Sequence, residues 1–97
     1  MAFVQIIEFR TDKIDEMRKL GDQWEASAAS GRTARRRLLC QDRDNPGRYF
    51  NIVFFDSYDA AMKNSQLPAT QDFSQRMAAL AQGESTFYNL DLVEDKE

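Results

Sequence analysis

Histidine is absent from the 97-residue sequence, and cysteine occurs once, at Cys40. Histidine is the commonest general base and the commonest metal ligand in proteins. Its absence excludes Ser-His-Asp and Cys-His catalysis, histidine-ligated zinc and histidine-ligated haem. A single cysteine forms no disulfide within the chain and builds no thiolate zinc site. We therefore expect no metal, no cofactor and no tight haem binding, and a reduced thiol in a cytoplasmic protein.

Long apolar stretches and basic character are lacking as well. No apolar run approaches the length of about 20 residues that a membrane span needs, and the first residues show no signal-peptide pattern. The formal net charge of −3 argues against a nucleic-acid binder, because such proteins carry a basic surface. The chain is 42% hydrophobic and 30% charged, as in an ordinary globular domain. We expect one domain spanning residues 1–97, with neither membrane nor nucleic acid as a partner.

Four short runs of β-branched and aromatic residues predict strands at 2–9, 33–41, 48–55 and 86–93. The dense turn signal at residues 42–47 joins the second and third strands into a hairpin. Between the first two strands, apolar residues recur at spacings of three and four and predict a helix. We expect Asp12 to be its N-cap and Gly31 to end it.

A second helix is predicted to begin after Asp56 and Ser57, to break at residues 65–68 and to restart at Pro68. Gly83 ends it. The element order is then β-α-β-β-α-β, which predicts a ferredoxin-like α+β fold. In that fold a four-stranded antiparallel sheet carries two helices on one face.

The third strand is apolar on both faces, although helices cover only one. Residues 50, 52 and 54 point one way and residues 49, 51, 53 and 55 the other. A strand that is apolar on both faces is buried on both. We therefore expect a homodimer joined through the sheet, with these side chains at the interface: Leu38, Phe50, Ile52 and Phe54.

The odd-numbered face of the third strand is mixed, and we predict a ligand cavity between it and the helices. If residue 41 pairs with residue 49, Arg35 and Arg37 stand opposite Phe55 and Val53, on the same face as Asn51. An arginine pair in a half-apolar cavity suits a carboxylate or a phenolate. The alternatives are ion pairs or charges that protect an edge strand.

Three further side chains have both a binding and a structural interpretation. The amide of Asn51 lies within a strand and either faces a ligand or makes a structural hydrogen bond. Trp24 belongs to the apolar face of the first helix, and its indole N–H needs a partner in the core or in a ligand. Tyr49 either donates to an oxyanion or packs in the hairpin. Cys40 is interpreted as a small buried hydrophobe.

The element order, the hairpin at residues 44–49 and the segment at residues 55–61 resemble the dimeric α/β-barrel superfamily, in its antibiotic-biosynthesis-monooxygenase-like branch. The resemblance implies two ferredoxin-like protomers packed sheet against sheet, each with a cavity for a small hydrophobic ligand. Some members are cofactor-free oxygenases of aromatic polyketides, and others degrade haem. The oxygenase pattern places an asparagine four residues before a tryptophan; Asn51 and Phe55 meet that spacing, with phenylalanine in place of tryptophan. The histidine of the haem-degrading pattern has no counterpart at residues 64–70.

Two functions follow from the resemblance. One is a homodimeric small-molecule-binding protein that acts as a cofactor-independent oxygenase of small aromatic or polyketide-like compounds. There Asn51 would hold a substrate oxygen, Arg35 or Arg37 would favour an anionic form, and Phe55 and Trp24 would form the pocket wall. The other is a non-catalytic ligand-binding or accessory protein with the same cavity. An RNA-binding protein on a similar scaffold is a third possibility. It is disfavoured because the sequence lacks the glycine-rich aromatic motif of such proteins.

Overall fold

The computed structural model describes residues 2–28 and 33–96. Its elements are β1 (Phe3–Arg10), α1 (Ile14–Ala28), β2 (Ala34–Gln41), β3 (Arg48–Phe55), α2 (Tyr58–Ser65), α3 (Pro68–Leu80) and β4 (Thr86–Asp91). The strands form one antiparallel sheet in the order β2-β3-β1-β4. This is the ferredoxin-like topology, so the predicted fold class is confirmed. Within the described ranges, no helix is both long enough and apolar enough to cross a membrane.

The helices cover one face of the sheet, here called the inner face, which carries the odd-numbered residues of β1 and β3. One core cluster joins Phe3, Val53 and Phe55 to Ala61 of α2. A second cluster joins Phe9 and Tyr49 to α1 and α3, through the residues Met17, Met77 and Leu80. Asn51 lies on β3 between the two clusters. The even-numbered residues of β1 and β3 form the opposite, open face, which none of the described helices covers.

Most of the predicted element ends are those of the structure. Ser57 caps α2, since its hydroxyl accepts a hydrogen bond from the Ala60 N–H at 3.1 Å. Pro68 begins α3, where its missing N–H costs nothing. The prediction that Gly83 ends this helix is wrong by two residues, because Ala81 is the C-cap of α3; Gly83 lies in the connection to β4 with a φ of +80°, a backbone conformation that suits glycine. The predicted end of α1 at Ser30 and Gly31 lies outside the described residues.

The prediction of Asp12 as the N-cap of α1 is wrong. The first helical bond of α1 runs from the Met17 N–H to the Lys13 carbonyl, so Asp12 lies before the capping position. Thr11 organises this turn instead. Its hydroxyl accepts from the Lys13 N–H at 3.0 Å and donates to the Leu80 carbonyl at 2.8 Å. The end of β1 is thereby fixed to the end of α3.

A β-bulge changes the expected register at one end of β2. Gln41 pairs with Tyr49 and Arg37 with Val53, as the sequence predicts. Beyond them the register shifts, so that Ala34 opposes Phe55 while Arg36 opposes Phe54. Arg35 is the extra residue and does not stand opposite Phe55, because a bulge places two residues of one strand against one of the other.

Cys40 also departs from its prediction. Its thiol is exposed in the isolated chain rather than buried. The residue pairs with Phe50 and therefore lies on the open face.

Candidate functional site

A cavity of about 430 Å³ lies between the inner face of the sheet and helix α3. Its apolar wall contains three phenylalanines and two methionines from β1, α1, α3 and β4. Polar atoms enter the lining from Asn51, from Ser74 on α3 and from the segment between α3 and β4. The lining residues are Ile7, Phe9, Met17, Asn51, Phe73, Ser74, Met77, Ala78, Ala81, Gly83, Glu84, Ser85 and Phe87.

Asn51 is a buried polar side chain in this lining, with 5% of its surface exposed. It sits in the middle of β3, paired with Ile7 on β1 and Leu39 on β2. Its Oδ1 atom is buried and has no hydrogen-bond partner among the residues that the structure describes. A buried acceptor without a donor costs about 1–3 kcal/mol. The fold therefore buries an amide oxygen that it does not use for its own hydrogen bonding.

Arg37 lies on the inner face but does not line the cavity. Its guanidinium packs against α1, so close to Gly21 that a Cβ atom there would lie 2.8 Å from Nη2. Nη2 also lies 3.5 Å from the Glu25 carboxylate, while the Nε atom is buried without a partner in the described part of the chain. The missing side chain of Gly21 makes room for this arginine under the helix.

Arg35, the bulge residue, points to solvent and pairs with Asp56. Its Nε lies 3.0 Å from both carboxylate oxygens, and its Nη2 lies 2.8 Å from Oδ2. These charge-assisted bonds raise the pKa of Arg35 and lower the pKa of Asp56. Arg35 therefore forms an exposed ion pair instead of entering the cavity.

Three predicted aromatic residues pack in the core around the cavity without lining it. Phe55 belongs to the cluster of Phe3 and α2. Tyr49 stacks on Phe9 at 5.7 Å between ring centroids, and its hydroxyl accepts from Gln41 at 3.2 Å. The third residue, Trp24, stands behind a lining residue.

The indole of Trp24 is buried between α1 and α3 and donates to the Thr70 hydroxyl at 2.8 Å. Its ring centroid lies 5.7 Å from that of Phe73, which lines the cavity. Trp24 thus supports the cavity wall from outside. Of the six predicted site residues, Asn51 is the one in the cavity lining.

The sequence interpretation missed most of the cavity wall. Ile7 and Phe9 share the inner face with Asn51 by strand alternation, and that signal could have placed them there. Phe73 and Met77 lie four residues apart on α3, and this helical spacing could have placed them on one buried face. Phe87 lines the cavity from the edge strand β4, although 59% of its surface is exposed. Its place in the wall depends on where α3 lies, which its position in the strand does not indicate.

The open face combines apolar side chains with a charged group at one end. Arg48 donates to Glu8 at 2.8 Å and to Asp42 at 3.1 Å, and the Tyr88 hydroxyl donates to Glu8 at 2.9 Å. The bond from Arg48 is the main cause of the lowered pKa of Glu8, and the Tyr88 bond adds to it. Glu8 in turn raises the pKa of Tyr88.

The remaining open face is apolar, and several of its side chains stay in contact with solvent. Tyr88 is 42% exposed and Leu90 is 45% exposed. The half-buried members are Ile6, Leu38, Phe50, Ile52 and Phe54. Arg36 and Arg48 lie over the rings of Phe54 and Phe50, 6.0 Å and 4.8 Å from their centroids.

Across the described residues, no three Cys, Asp or Glu side chains are grouped so as to hold a metal ion.

Comparison with known proteins identifies similar structures but no related sequence family. No protein-family model matches the sequence, and no curated protein does. The cofactor-independent oxygenase SnoaB from Streptomyces nogalater is 18% identical, with a TM-score of 0.80 over 97% of this chain and 95% of that one. Rv0793 from Mycobacterium tuberculosis is 14% identical, with a TM-score of 0.80 over the whole of both chains.

A solved antibiotic biosynthesis monooxygenase is 17% identical, with a TM-score of 0.75 over 97% of this chain and 100% of its own. At such identities the similarity concerns the backbone fold. The resemblance predicted from the sequence is confirmed at that level: this chain has the ferredoxin-like fold of the antibiotic-biosynthesis-monooxygenase-like α/β-barrel proteins.

Proposed function

We propose that this protein is a homodimeric small-molecule-binding protein whose ligand site is the cavity between the inner face and α3. The observation that carries the proposal is the buried amide of Asn51 in an otherwise largely apolar cavity of about 430 Å³. Ligand sites in proteins are mostly apolar, with a few polar groups that orient the ligand. A buried amide oxygen without a partner in the described chain fits that description better than it fits a structural role.

The homodimer is the second part of the proposal. The open face carries large apolar side chains that a single chain leaves partly in water, and a second copy would cover them with an identical surface. The cavity lies on the opposite side of the sheet, so pairing through the open face leaves it free. We place this dimer in the cytoplasm, where a single exposed cysteine such as Cys40 stays reduced.

Binding in this cavity is testable with 2-naphthol, a two-ring probe that fits the apolar wall and carries one hydroxyl group. In a titration followed by amide chemical shifts, we expect the largest changes in α3, in the segment between α3 and β4, and around Asn51. Ala78→Phe should narrow the cavity and weaken binding at least several-fold, because Ala78 lines it. Ala79→Phe is the matched control, since Ala79 is exposed on the same helix and outside the lining.

Three outcomes would contradict the proposal. One is a protein that shows no shift changes with millimolar probe, and another is a set of changes confined to a separate groove between α1 and α3, which Leu20, Gln23 and Arg76 line. Equal weakening by both alanine substitutions would also argue against this cavity, because only one of them lines it.

A cofactor-independent oxygenase is the second candidate, favoured by the fold shared with SnoaB. In such a reaction the substrate supplies the electrons: anthrone and O₂ give anthraquinone and water, with one oxygen atom in each product. Oxygen uptake with anthrone above the rate without protein, and its loss in Asn51→Leu, would support this function. Binding without oxygen uptake would support a non-catalytic ligand carrier or accessory protein instead.

A further inference from the structure

The lining of the cavity carries no positive charge. Among the lining residues Glu84 is the ionisable one, and no lysine or arginine contributes to the wall. The two arginines that the sequence brings nearest are engaged elsewhere, Arg35 with Asp56 and Arg37 beneath α1. We infer that the ligand is an uncharged aromatic molecule with a hydroxyl group, and that the site discriminates against carboxylates and phenolates. The inference rests on the proposed function of the cavity.

An anion in this cavity would lack compensation. Burial of a charge is costly unless a countercharge or several hydrogen bonds accompany it. The wall offers aliphatic, aromatic and thioether groups but no countercharge, because its side-chain donors are neutral: the Asn51 amide and the hydroxyls of Ser74 and Ser85. The exposed carboxylate of Glu84 at the rim adds repulsion of an approaching anion, weakened by salt. Each of these effects weakens binding of a carboxylate and leaves binding of a neutral molecule unaffected.

The hydroxyl group follows from the chemistry of the amide. A hydroxyl both donates and accepts, so it can donate to the unpartnered Oδ1 or accept from the amide nitrogen after the side chain turns over. The aromatic part follows from the wall, since Phe9, Phe73 and Phe87 offer ring faces and edges, and methionine sulfur packs well on rings.

Three probes of one ring system separate these effects near neutral pH: naphthalene, 2-naphthol and 2-naphthoate. We expect 2-naphthol to bind about 3–10-fold more tightly than naphthalene, the value of one net hydrogen bond. We expect 2-naphthoate to bind at least about 30-fold more weakly than 2-naphthol, because its charge is buried without a partner. Dissociation constants come from chemical-shift titrations, so that the site and the affinity are read together.

Two substitutions assign the effects to residues. Asn51→Leu should abolish the preference, so that 2-naphthol and naphthalene bind with equal affinity. Glu84→Gln should strengthen 2-naphthoate binding a few-fold relative to 2-naphthol binding at low salt, and less at high salt. Glu94→Gln is the control, since it removes the same charge from the exposed C-terminal segment outside the lining.

The possible failures are distinguishable. If 2-naphthoate binds in the cavity as tightly as 2-naphthol, the charge selectivity is wrong and the ligand-binding function stands. If 2-naphthol and naphthalene bind equally, the role given to the hydroxyl and to Asn51 is wrong. If none of the three probes binds, the proposed function itself fails.

Discussion

Three buried polar side chains differ in how the fold uses them: Thr11, Asn51 and Asn64. The Thr11 hydroxyl is bonded on both sides, to the start of α1 and the end of α3. The side-chain oxygen of Asn64 accepts from the Thr33 N–H at 3.4 Å. Its backbone carbonyl accepts from the N–H groups that end α2. Asn51 is the exception, because its Oδ1 bonds to nothing in the described chain. Structural hydrogen bonds therefore account for Thr11 and Asn64 but not for the Oδ1 atom of Asn51.

Thr11→Val tests the structural half of this contrast. Valine keeps the shape of the 3%-exposed side chain but removes the hydroxyl, which leaves the Leu80 carbonyl and the Lys13 N–H without their bonds. We expect the free energy of unfolding to fall by about 1–3 kcal/mol in a denaturant titration. Thr86→Val, at an exposed position of β4, is the control and should change it little. A Thr11→Val protein as stable as wild type would show that water replaces these bonds.

Among the elements, the sheet was the most predictable part. Strand β3 has the predicted ends because nearby residues specify both of them: the turn at residues 42–47 precedes the strand, and Ser57 caps the helix that follows it. The break between α2 and α3 follows in the same way from Pro68. Side-chain alternation then predicts that Asn51 faces the helices, and the structure shows it buried on that face.

Local sequence signals do not predict the bulge in β2 or the contact of Arg37 with α1. Nothing in the pattern around Arg35 specifies that one extra residue enters β2, yet that residue decides which way the side chain points. Arg37 has the predicted face, but its long side chain reaches Gly21 on α1, a contact that depends on how the helix crosses the sheet. The cavity wall depends likewise on the position of α3, which the sequence order does not give.

The hydrogen bonds at Glu8 join β1, β3 and β4 on the open face and give a prediction for pH. Bonds from Arg48 and Tyr88 lower the pKa of Glu8 below its ordinary value of 4.5, so the folded state favours the carboxylate. Its contribution is complete above the unfolded pKa and is lost as the pH falls through the folded one. We therefore expect Glu8→Gln to destabilise the protein near neutral pH, and the difference from wild type to shrink below pH 4.5.

Denaturant titrations at several pH values measure this difference directly. Glu16→Gln, at an exposed position of α1, serves as the control for losing one negative charge. A Glu8→Gln effect that is constant across the acid range would mean that the carboxylate contributes through its shape or its packing rather than its charge.

At the scale of the whole molecule, the two sheet faces have different roles. The inner face and three helices enclose the core and the cavity, whereas the open face leaves Tyr88 and Leu90 nearly half exposed. Cys40 lies on that open face and is accessible in a single chain. Its thiol therefore reports whether a second copy covers the face, without any change to the surface being tested.

We expect the rate at which a thiol reagent modifies Cys40 to fall as protein concentration rises, because dimerisation through the open face would bury the sulfur. Ile52→Glu places a charge in the centre of that face and should give a monomer in sedimentation whose Cys40 reacts rapidly at every concentration. A Ser65→Cys protein with Cys40→Ser carries its thiol at the exposed end of α2, on the helix side, and its rate of modification should not depend on protein concentration.

If the wild-type rate is equally constant and the protein sediments as a monomer at micromolar concentration, the open face has no second copy as its partner. In the proposed dimer the apolar open face supplies the association and the mixed inner face keeps the ligand site, so Ile52→Glu should abolish the dimer while 2-naphthol still binds near Asn51.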